Sequence, residues 1–454
     1  TLRQELYPRG YAREDFPTLR GALRSGDIYT PPSRALRVLY AGARMVDRHH
    51  SPAHRSQLLA SLRKLIRWEL ETTAHTSISP VSGLLNIIAL WLEEPAAPTV
   101  TRALAAFEGW IWEDDTDGLR VAGARSASWD TAFALQALAQ AAPHVEVTEA
   151  TERGVRFLQS QQILESFPGY ERAHRNDPHG GWCFAGVWHG WPVSDCTAEA
   201  MIALVECPSA GPEDGERLAA AARFILRAQN PDGGFGSYEH QKSRVPLEWL
   251  NPAEMFGDSM TEHSYVECTA SCIGALAAFT KRFPERETDA IRRAVDRAVR
   301  VLRDAQNADG SWSAVWGVHF TYGTLFGIRG LIAGGAKVTD SAIRKACAWL
   351  LAHQRPDGGW GEHHQSALGD TIVEAHHSQV IQTSWALAAL LEAQEPNWDA
   401  IERAADFLAL AQGPDGEWPE QEMAGVFFHT ALLHYKLYRR YFPVWALGLF
   451  ETRR

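Results

Sequence analysis

No apolar run in this chain reaches the roughly 18–20 residues that a helix needs to cross a bilayer. No basic stripe or Arg-rich run offsets the net charge of −11, which argues against a nucleic-acid partner. The six cysteines (Cys183, Cys196, Cys207, Cys268, Cys272 and Cys347) show no CxxC pair and no secreted disulfide framework, which points to a reducing compartment. A Gly-rich phosphate loop, an HExxH pair and a GxSxG elbow are all missing, so nucleotide hydrolysis, zincin chemistry and serine-hydrolase chemistry lose their usual markers. A signal peptide is missing too, and the chain begins at Thr1 rather than Met, so targeting is not read from it. No segment reads as a persuasive strand.

What remains is helix, in quantity and with a period. The 454 residues, 45% hydrophobic and 22% charged, suit a globular protein of one large or two ordinary domains. Four segments share one spacing, an apolar residue, four residues, Gln, five residues and an aromatic: Phe224 to Phe235, Val301 to Trp312, Trp349 to Trp360 and Phe407 to Trp418. A looser fifth copy runs from Phe157 through Gln162 to Trp182. In each tight copy the Gln ends an amphipathic helix, Asp-Gly turns the chain, and the aromatic returns over the helix end. The Gln is expected to satisfy orphan C-terminal carbonyls while lying against the ring. One such stop means little; four at identical spacing mark a repeat.

Between these helices lie six that are more apolar, starting at Trp129, Ser194, Ser264, Phe320, Thr383 and Gly425. A helix apolar on all sides is buried, and an amphipathic one covers it. Six buried helices alternating with five that carry the Gln turn describe an all-α, double-layered α/α barrel, with six inner and six outer-type helices, over residues 116–454. A central cavity is expected at the inner-helix N-termini. Residues 1–115 read as helices without Gln turns, and as part of a second α/α domain.

The segment Trp191 to Ala200 (WPVSDCTAEA) carries the chemistry. Asp195 and Cys196 open an inner helix, which points the carboxyl into the barrel. Burial keeps a proton on such a group, whereas a helix N-terminus and thiol hydrogen bonds favour its release. Taken alone, Asp195 reads as an N-cap. Two features weigh against that. Cys268 holds the equivalent place on the next inner helix, and aromatics recur at the helix mouths: Trp129, Phe184, Tyr238, Phe256, Trp316 and Phe427. Singly they are core residues; six around a buried acid form a wall that stabilises a cation without attacking it.

SDCTAEA, the Gln-to-aromatic turns and further segments along the whole chain (LRQELY, WDTAFALQAL, NPDGGFGSYE, LNPAEMFGD, YVECTA, WGVHFTYGT, DGGWGE, YFPVWALG) resemble the oxidosqualene cyclases, which include lanosterol, cycloartenol and amyrin synthases. The resemblance implies cyclisation of (3S)-2,3-oxidosqualene to a polycyclic, lanosterol-like sterol precursor, with no metal or organic cofactor. It implies that Asp195 protonates the epoxide while hydrogen-bonded to Cys196 and Cys268. Trp129, Phe184, Tyr238, Phe256, Trp316 and Phe427 would line the cavity, and Tyr238 would assist the last deprotonation. The related squalene-hopene cyclases carry a DxDD run where this chain has Val193-Ser194-Asp195-Cys196. One carboxyl suffices for an epoxide, which is more basic than an alkene. The family is monotopic on a membrane surface, expected here at the cytoplasmic face, and the segment Leu6 to Phe16 would adjoin its membrane-facing region.

Departures from the family pattern are His319 for a usual cysteine, Leu325 for a usual tryptophan, Ser259 for an apolar residue, and Gly123 to Ser128 before Trp129. The family's N-terminal part, with its Trp-Cys-His-Cys-Arg stretch, is expected upstream of Thr1. Val193 matches lanosterol synthases better than cycloartenol synthases. Competing readings are a cyclase of squalene or another prenylated epoxide, and a barrel that only binds terpenoid lipid. Protein prenyltransferases also use an α/α barrel, with a zinc ion. Here His363, His364, His376 and His377 have no cysteine at a ligand spacing, so they read as solvated loop residues and no metal is expected.

Overall fold

The computed structural model describes all residues except 1–3, 6, 8–9, 15–22, 50, 116, 208–214, 244, 246 and 287. The ends of the Leu6 to Phe16 segment therefore lie outside the described residues. Four helices come first: α1 (Arg34–His49), α2 (Pro52–Thr72), α3 (Pro80–Glu93) and α4 (Pro98–Phe107). Ser51 caps α2, and Ser79 with Ser82 forms a reciprocal capping box on α3. Leu70, Ile87, Leu90, Ala97, Val100 and Ala103 make a small core of their own. Leu62, Leu65, Leu84, Ile88 and Leu92 point outward and exposed, so these helices bury only one of their apolar faces. A hairpin of β1 (Ile111–Asp114) and β2 (Gly118–Val121) follows.

The next part alternates apolar and amphipathic helices. The apolar ones are α5 (Ala127–Ala141), α7 (Ser194–Glu206), α9 (Val266–Arg282), α11 (Phe320–Ala333), α13 (Val380–Glu392) and α15 (Tyr438–Arg453). Each packs against the next, and α15 packs against α5, so the six close into a ring. Closure needs a small residue: a Cβ on Gly448 of α15 would fall 2.8 Å from the Gln140 backbone of α5. The amphipathic helices α6 (Thr148–Gln161), α8 (Gly215–Ala228), α10 (Asp289–Asp304), α12 (Ser341–Ala352) and α14 (Trp398–Ala411) sit outside, each bridging neighbours in the ring. Five outer helices thus alternate with the six inner ones; a sixth has no place in that alternation among the described residues.

The Gln turns work differently from the sequence expectation. It is the tryptophan that satisfies the helix end: the indole N–H groups of Trp182, Trp312, Trp360 and Trp418 donate to Leu158, Leu302, Leu350 and Leu408 at 2.7–2.8 Å. Each of those carbonyls lies in the last turn of an outer helix, where the i+4 backbone donor is missing. The glutamine reaches across instead. Gln306 Nε2 donates to Gly310 in its own turn and to Ala342 at the start of α12, both at 2.9 Å, and Gln354 does the same with Gly358 and Ala400 of α14. A threonine on four of the six inner helices completes the unit: Thr197, Thr269, Thr324 and Thr383 accept the backbone N–H of the returning aromatic. Gln306→Ala should therefore loosen α10 from α12 and lower stability by about 1–3 kcal/mol, since two buried carbonyls lose a donor. Urea unfolding would measure it, and an unchanged midpoint would show the bridge to be idle.

One expected helix is absent. The segment from Gly425 is a hairpin of β7 (Gly425–Phe427) and β8 (Ala431–Leu433), and the inner helix that closes the ring starts later, at Tyr438. Phe428 and His429 have φ of 44° and 67°, left-handed values that a right-handed helix does not contain. The hairpin also pairs with the segment before α11: Val318 N–H donates to Ala424 O and Val426 N–H to Trp316 O. Strands do occur, then, but as two-stranded hairpins. β3 (Trp182–Cys183) pairs with β4 (Pro192–Val193), and β5 (Trp360–Glu362) with β6 (Glu374–Gln379). Most of these strands have only two to four residues, too few to show an alternating pattern; β6, with six, is the longest among the described residues.

Candidate active site

α7 starts at Ser194, and its N-cap is Val193, which gives no side-chain cap. Asp195 is thus the second helical residue and not the N-cap. Its carboxyl is 6% exposed. Oδ1 accepts the Cys196 backbone N–H at 2.7 Å, and Oδ2 accepts the Cys268 thiol at 3.4 Å. Cys196 and Cys268 are the third residues of α7 and α9, so two adjacent inner helices bring both thiols to one acid. Ser237 Oγ lies 3.3 Å from the Cys268 sulfur and lengthens the chain of donors.

Burial raises the Asp195 pKa to about 6; the Cys196 N–H and the Cys268 and Cys196 thiols pull it down, and the Glu199 charge pushes it up again. Both thiols are themselves held well above their usual range, first by burial and then by the Asp195 charge. They stay protonated and act as donors. The arrangement is an acid that keeps its proton in a dry site and whose conjugate base already has partners waiting.

The six aromatic residues do not form one uninterrupted ring. Trp129 and Phe184 lie 6.1 Å apart, and Phe184 meets Tyr435 edge-on at 6.2 Å. Trp129 is 4% exposed, with its indole N–H on the Tyr438 hydroxyl at 2.9 Å. Trp316, Phe256 and Phe427 form a second group with spacings of 5.4 and 5.5 Å, joined by Phe428 and Tyr265. Tyr238 stands apart from both and packs on Trp191 at 5.1 Å. Its phenol is pushed up by burial and then by the charges of Cys196 and Asp195, and it follows Ser237, whose hydroxyl meets the Cys268 thiol. Tyr238 and Tyr435 are strongly desolvated and still only half-buried, as expected of rings on the wall of an interior space.

Buried carboxylates hold these loops. Glu267 Oε1 accepts the N–H groups of Val315 and Trp316 at 2.7 and 2.9 Å, and Glu262 accepts those of Ser237 and Tyr238 at 3.0 and 2.9 Å. Burial raises both to about 7. Tyr322, Tyr435 and Tyr438, which sequence reasoning passed over, belong to the same interior: Tyr435 stacks on Tyr438 at 4.3 Å, and Tyr322 lies 4.5 Å from Trp385. The 435-438 spacing of one helical turn was the available signal. Among the described residues no three His, Cys, Asp or Glu side chains converge to hold a metal ion, and no helix is long and apolar enough to cross a membrane.

A buried acid between two thiols, at the mouth of a closed ring of inner helices, now stands beside the comparisons with known proteins. Lanosterol synthase of Homo sapiens is 37% identical over 464 aligned positions, covering 99% of this chain and 63% of that protein. Cycloartenol synthase of Dictyostelium discoideum is 35% identical, covering 99% of this chain and 65% of that protein. The chain thus spans somewhat under two thirds of these relatives. Among solved structures, ent-copalyl diphosphate synthase from Streptomyces platensis matches 88% of this chain and 69% of its own with a TM-score of 0.54 at 19% identity, a likeness of fold. Residues 125–452 match the family model described as the squalene-hopene cyclase C-terminal domain. The chain belongs to that cyclase family, and its barrel from α5 to α15 is the family's C-terminal domain.

Proposed function

We propose that this protein cyclises (3S)-2,3-oxidosqualene to a polycyclic sterol precursor, drawing the substrate from a membrane surface. One observation carries the reading: the buried Asp195 carboxyl is held by two thiols and a backbone N–H, and among the described residues no second carboxylate is hydrogen-bonded to it. An alkene demands a stronger acid than an epoxide, so a lone carboxyl suits the epoxide. The likeness to lanosterol and cycloartenol synthases supports the same substrate.

In the proposed reaction the Asp195 proton passes to the epoxide oxygen. The C–O bond breaks as the neighbouring alkene π pair bonds to the released carbon, and successive ring closures move the cation along the chain. The Cys196 N–H and the thiols of Cys196 and Cys268 receive the carboxylate charge that forms. Trp129, Phe184, Trp316, Phe256 and Phe427 offer π faces to the travelling cation and no nucleophile to trap it. Tyr238, next in the chain to the Ser237 that meets the Cys268 thiol, is the residue proposed to assist the final loss of a proton.

Incubation of the protein with oxidosqualene and, in parallel, with squalene, followed by gas chromatography, tests this reading. Conversion of the epoxide alone is expected. Conversion of squalene, or of neither, would end it, the latter favouring a barrel that only binds terpenoid lipid. Cys268→Ala refines the test. That thiol lowers the pKa of Asp195, so its loss leaves a more tightly held proton. Turnover should fall roughly tenfold, the cost of one charge-assisted hydrogen bond, and the alkaline limb of the pH–rate profile should move to higher pH. A profile with an unmoved limb would remove Cys268 from the acid's role.

A further inference from the structure

Two positions beyond Ser237 lies an ion pair that the proposed reaction does not use, Arg175 with Glu239. Arg175, in the loop between α6 and β3, places its guanidinium carbon 4.1 Å from the Trp191 ring and 5.9 Å from the Trp68 ring of α2. Its Nη2 donates to Gly190 O at 3.0 Å, and its Nε lies 3.6 Å from Glu239 Oε1. Glu239 also accepts the Trp191 indole N–H at 3.3 Å, the Asn176 backbone N–H at 2.9 Å and the Lys242 ammonium at 3.0 Å. The side chains of Arg175 and Glu239 are 11% and 15% exposed. Burial brings the guanidinium down to about 10, so it remains charged at neutral pH.

The pair borders a particular piece of backbone. Glu239 follows Ser237 and Tyr238, and each of these three does something different. Ser237 meets the Cys268 thiol that bonds Asp195, Tyr238 lays its ring against Trp191, and Glu239 faces Arg175. Trp191 is therefore gripped on one face by the guanidinium and at its indole N–H by Glu239, and it offers the remaining surface to Tyr238. A cation stacked on an indole in a desolvated place favours one ring orientation over others. The same pairing keeps the Arg175 charge neutralised where a carbocation has to survive nearby.

We propose that Arg175 and Glu239 are positioning residues that act through Trp191 to set the Tyr238 phenol, and so decide where the cation cascade ends. This inference rests on the cyclase reading above. Neither residue touches the reacting atoms, so starting the cascade stays with Asp195 while its termination depends on the pair.

The test compares wild type, Arg175→Met, Arg175→Lys and Glu239→Gln on oxidosqualene, with product ratios, kcat, KM and thermal midpoint measured for each. Arg175→Met is expected to convert substrate with KM within about twofold of wild type while incompletely cyclised or differently deprotonated products rise at least tenfold in share. Arg175→Lys keeps the charge but loses the planar stack, and it should restore the ratio only in part. Glu239→Gln leaves the guanidinium buried and unpaired, and it should shift the ratio at least as far as Arg175→Met. If the soluble, folded variants give the wild-type ratio, or lose kcat in step with the thermal midpoint while the ratio holds, the positioning role is wrong and the cyclase reading stands. Absence of turnover in the wild type would overturn both.

Discussion

Asp195→Asn should stop cyclisation and at the same time make the protein more stable above pH 6. A positioned general acid contributes about 10²–10⁴ in rate, and among the described residues no other acid is hydrogen-bonded to Asp195, so turnover should fall by at least roughly 10³. The amide keeps the shape: its oxygen can still take the Cys196 N–H. The stability effect follows from the raised pKa. In the folded protein Asp195 titrates at about 6, against 3.8 for the free side chain, so folding favours the protonated form. That contribution is fully present below about 3.8 and is lost as pH rises through 6. At pH 8 the ionised, buried carboxylate costs on the order of 3 kcal/mol relative to low pH. Asn cannot ionise and escapes the loss. Urea unfolding of both proteins at pH 5 and pH 8 should show the variant gaining on wild type by about 1–1.5 kcal/mol between the two, the rest of the loss having already occurred below pH 5. A gap that does not change with pH would mean that Asp195 is not desolvated as described. Residual cyclisation near the wild-type rate would remove it as the acid.

The largest loss of stability is expected from the repeat and not from the site. Trp312 is fully buried between α10 and α11, with its indole N–H on Leu302 O. Its fit is tight, since a Cβ on Gly327 would fall 2.4 Å from the indole. Trp312→Ala removes that ring and leaves both a cavity and an unpaired carbonyl, for about 3–5 kcal/mol. Trp312→Phe keeps most of the volume and loses the N–H donor, so about 1–2 kcal/mol is expected. Trp112, 45% exposed in β1, serves as the contrast, and its replacement by Ala should stay near 0.5 kcal/mol. Chemical denaturation of the three variants checks the order. If Trp312→Phe matched Trp312→Ala, the hydrogen bond and not the packing would carry the repeat.

The difference between those two variants also shows what could be read in advance. The Gln-to-aromatic spacing is local, and so is the turn it makes, which is why five outer helices and their returning aromatics were legible. The partners are not local. Gln306 finds Ala342, 36 positions on, and a threonine of the following inner helix takes the aromatic N–H. No spacing within one repeat reports that bond, so the Gln was assigned to its own helix end, a place that the indole N–H of the same repeat takes.

The hairpin at Gly425 failed for a related reason. Its apolar residues suit a helix, but its backbone pairs with Trp316 and Val318 more than a hundred positions earlier. The true closing helix carries Pro443 in its interior, a residue that argues for a break. At the site, Asp195, Cys196 and Cys268 were recognisable from the segments that contain them, and the fold does bring them together. The aromatic wall was legible as a set of residues but not in its division into groups.

The order of apolar and amphipathic helices, and the presence of one acid at an inner-helix start, followed from the sequence alone, because periodicity and helix position are properties of neighbouring residues. Closure of the ring, the meeting of Cys268 with Asp195 across two helices, and the grip of Arg175 and Glu239 on Trp191 were decided only in the tertiary structure. Each depends on the distance between segments far apart in the chain, and that distance is set by how all six inner helices pack at once.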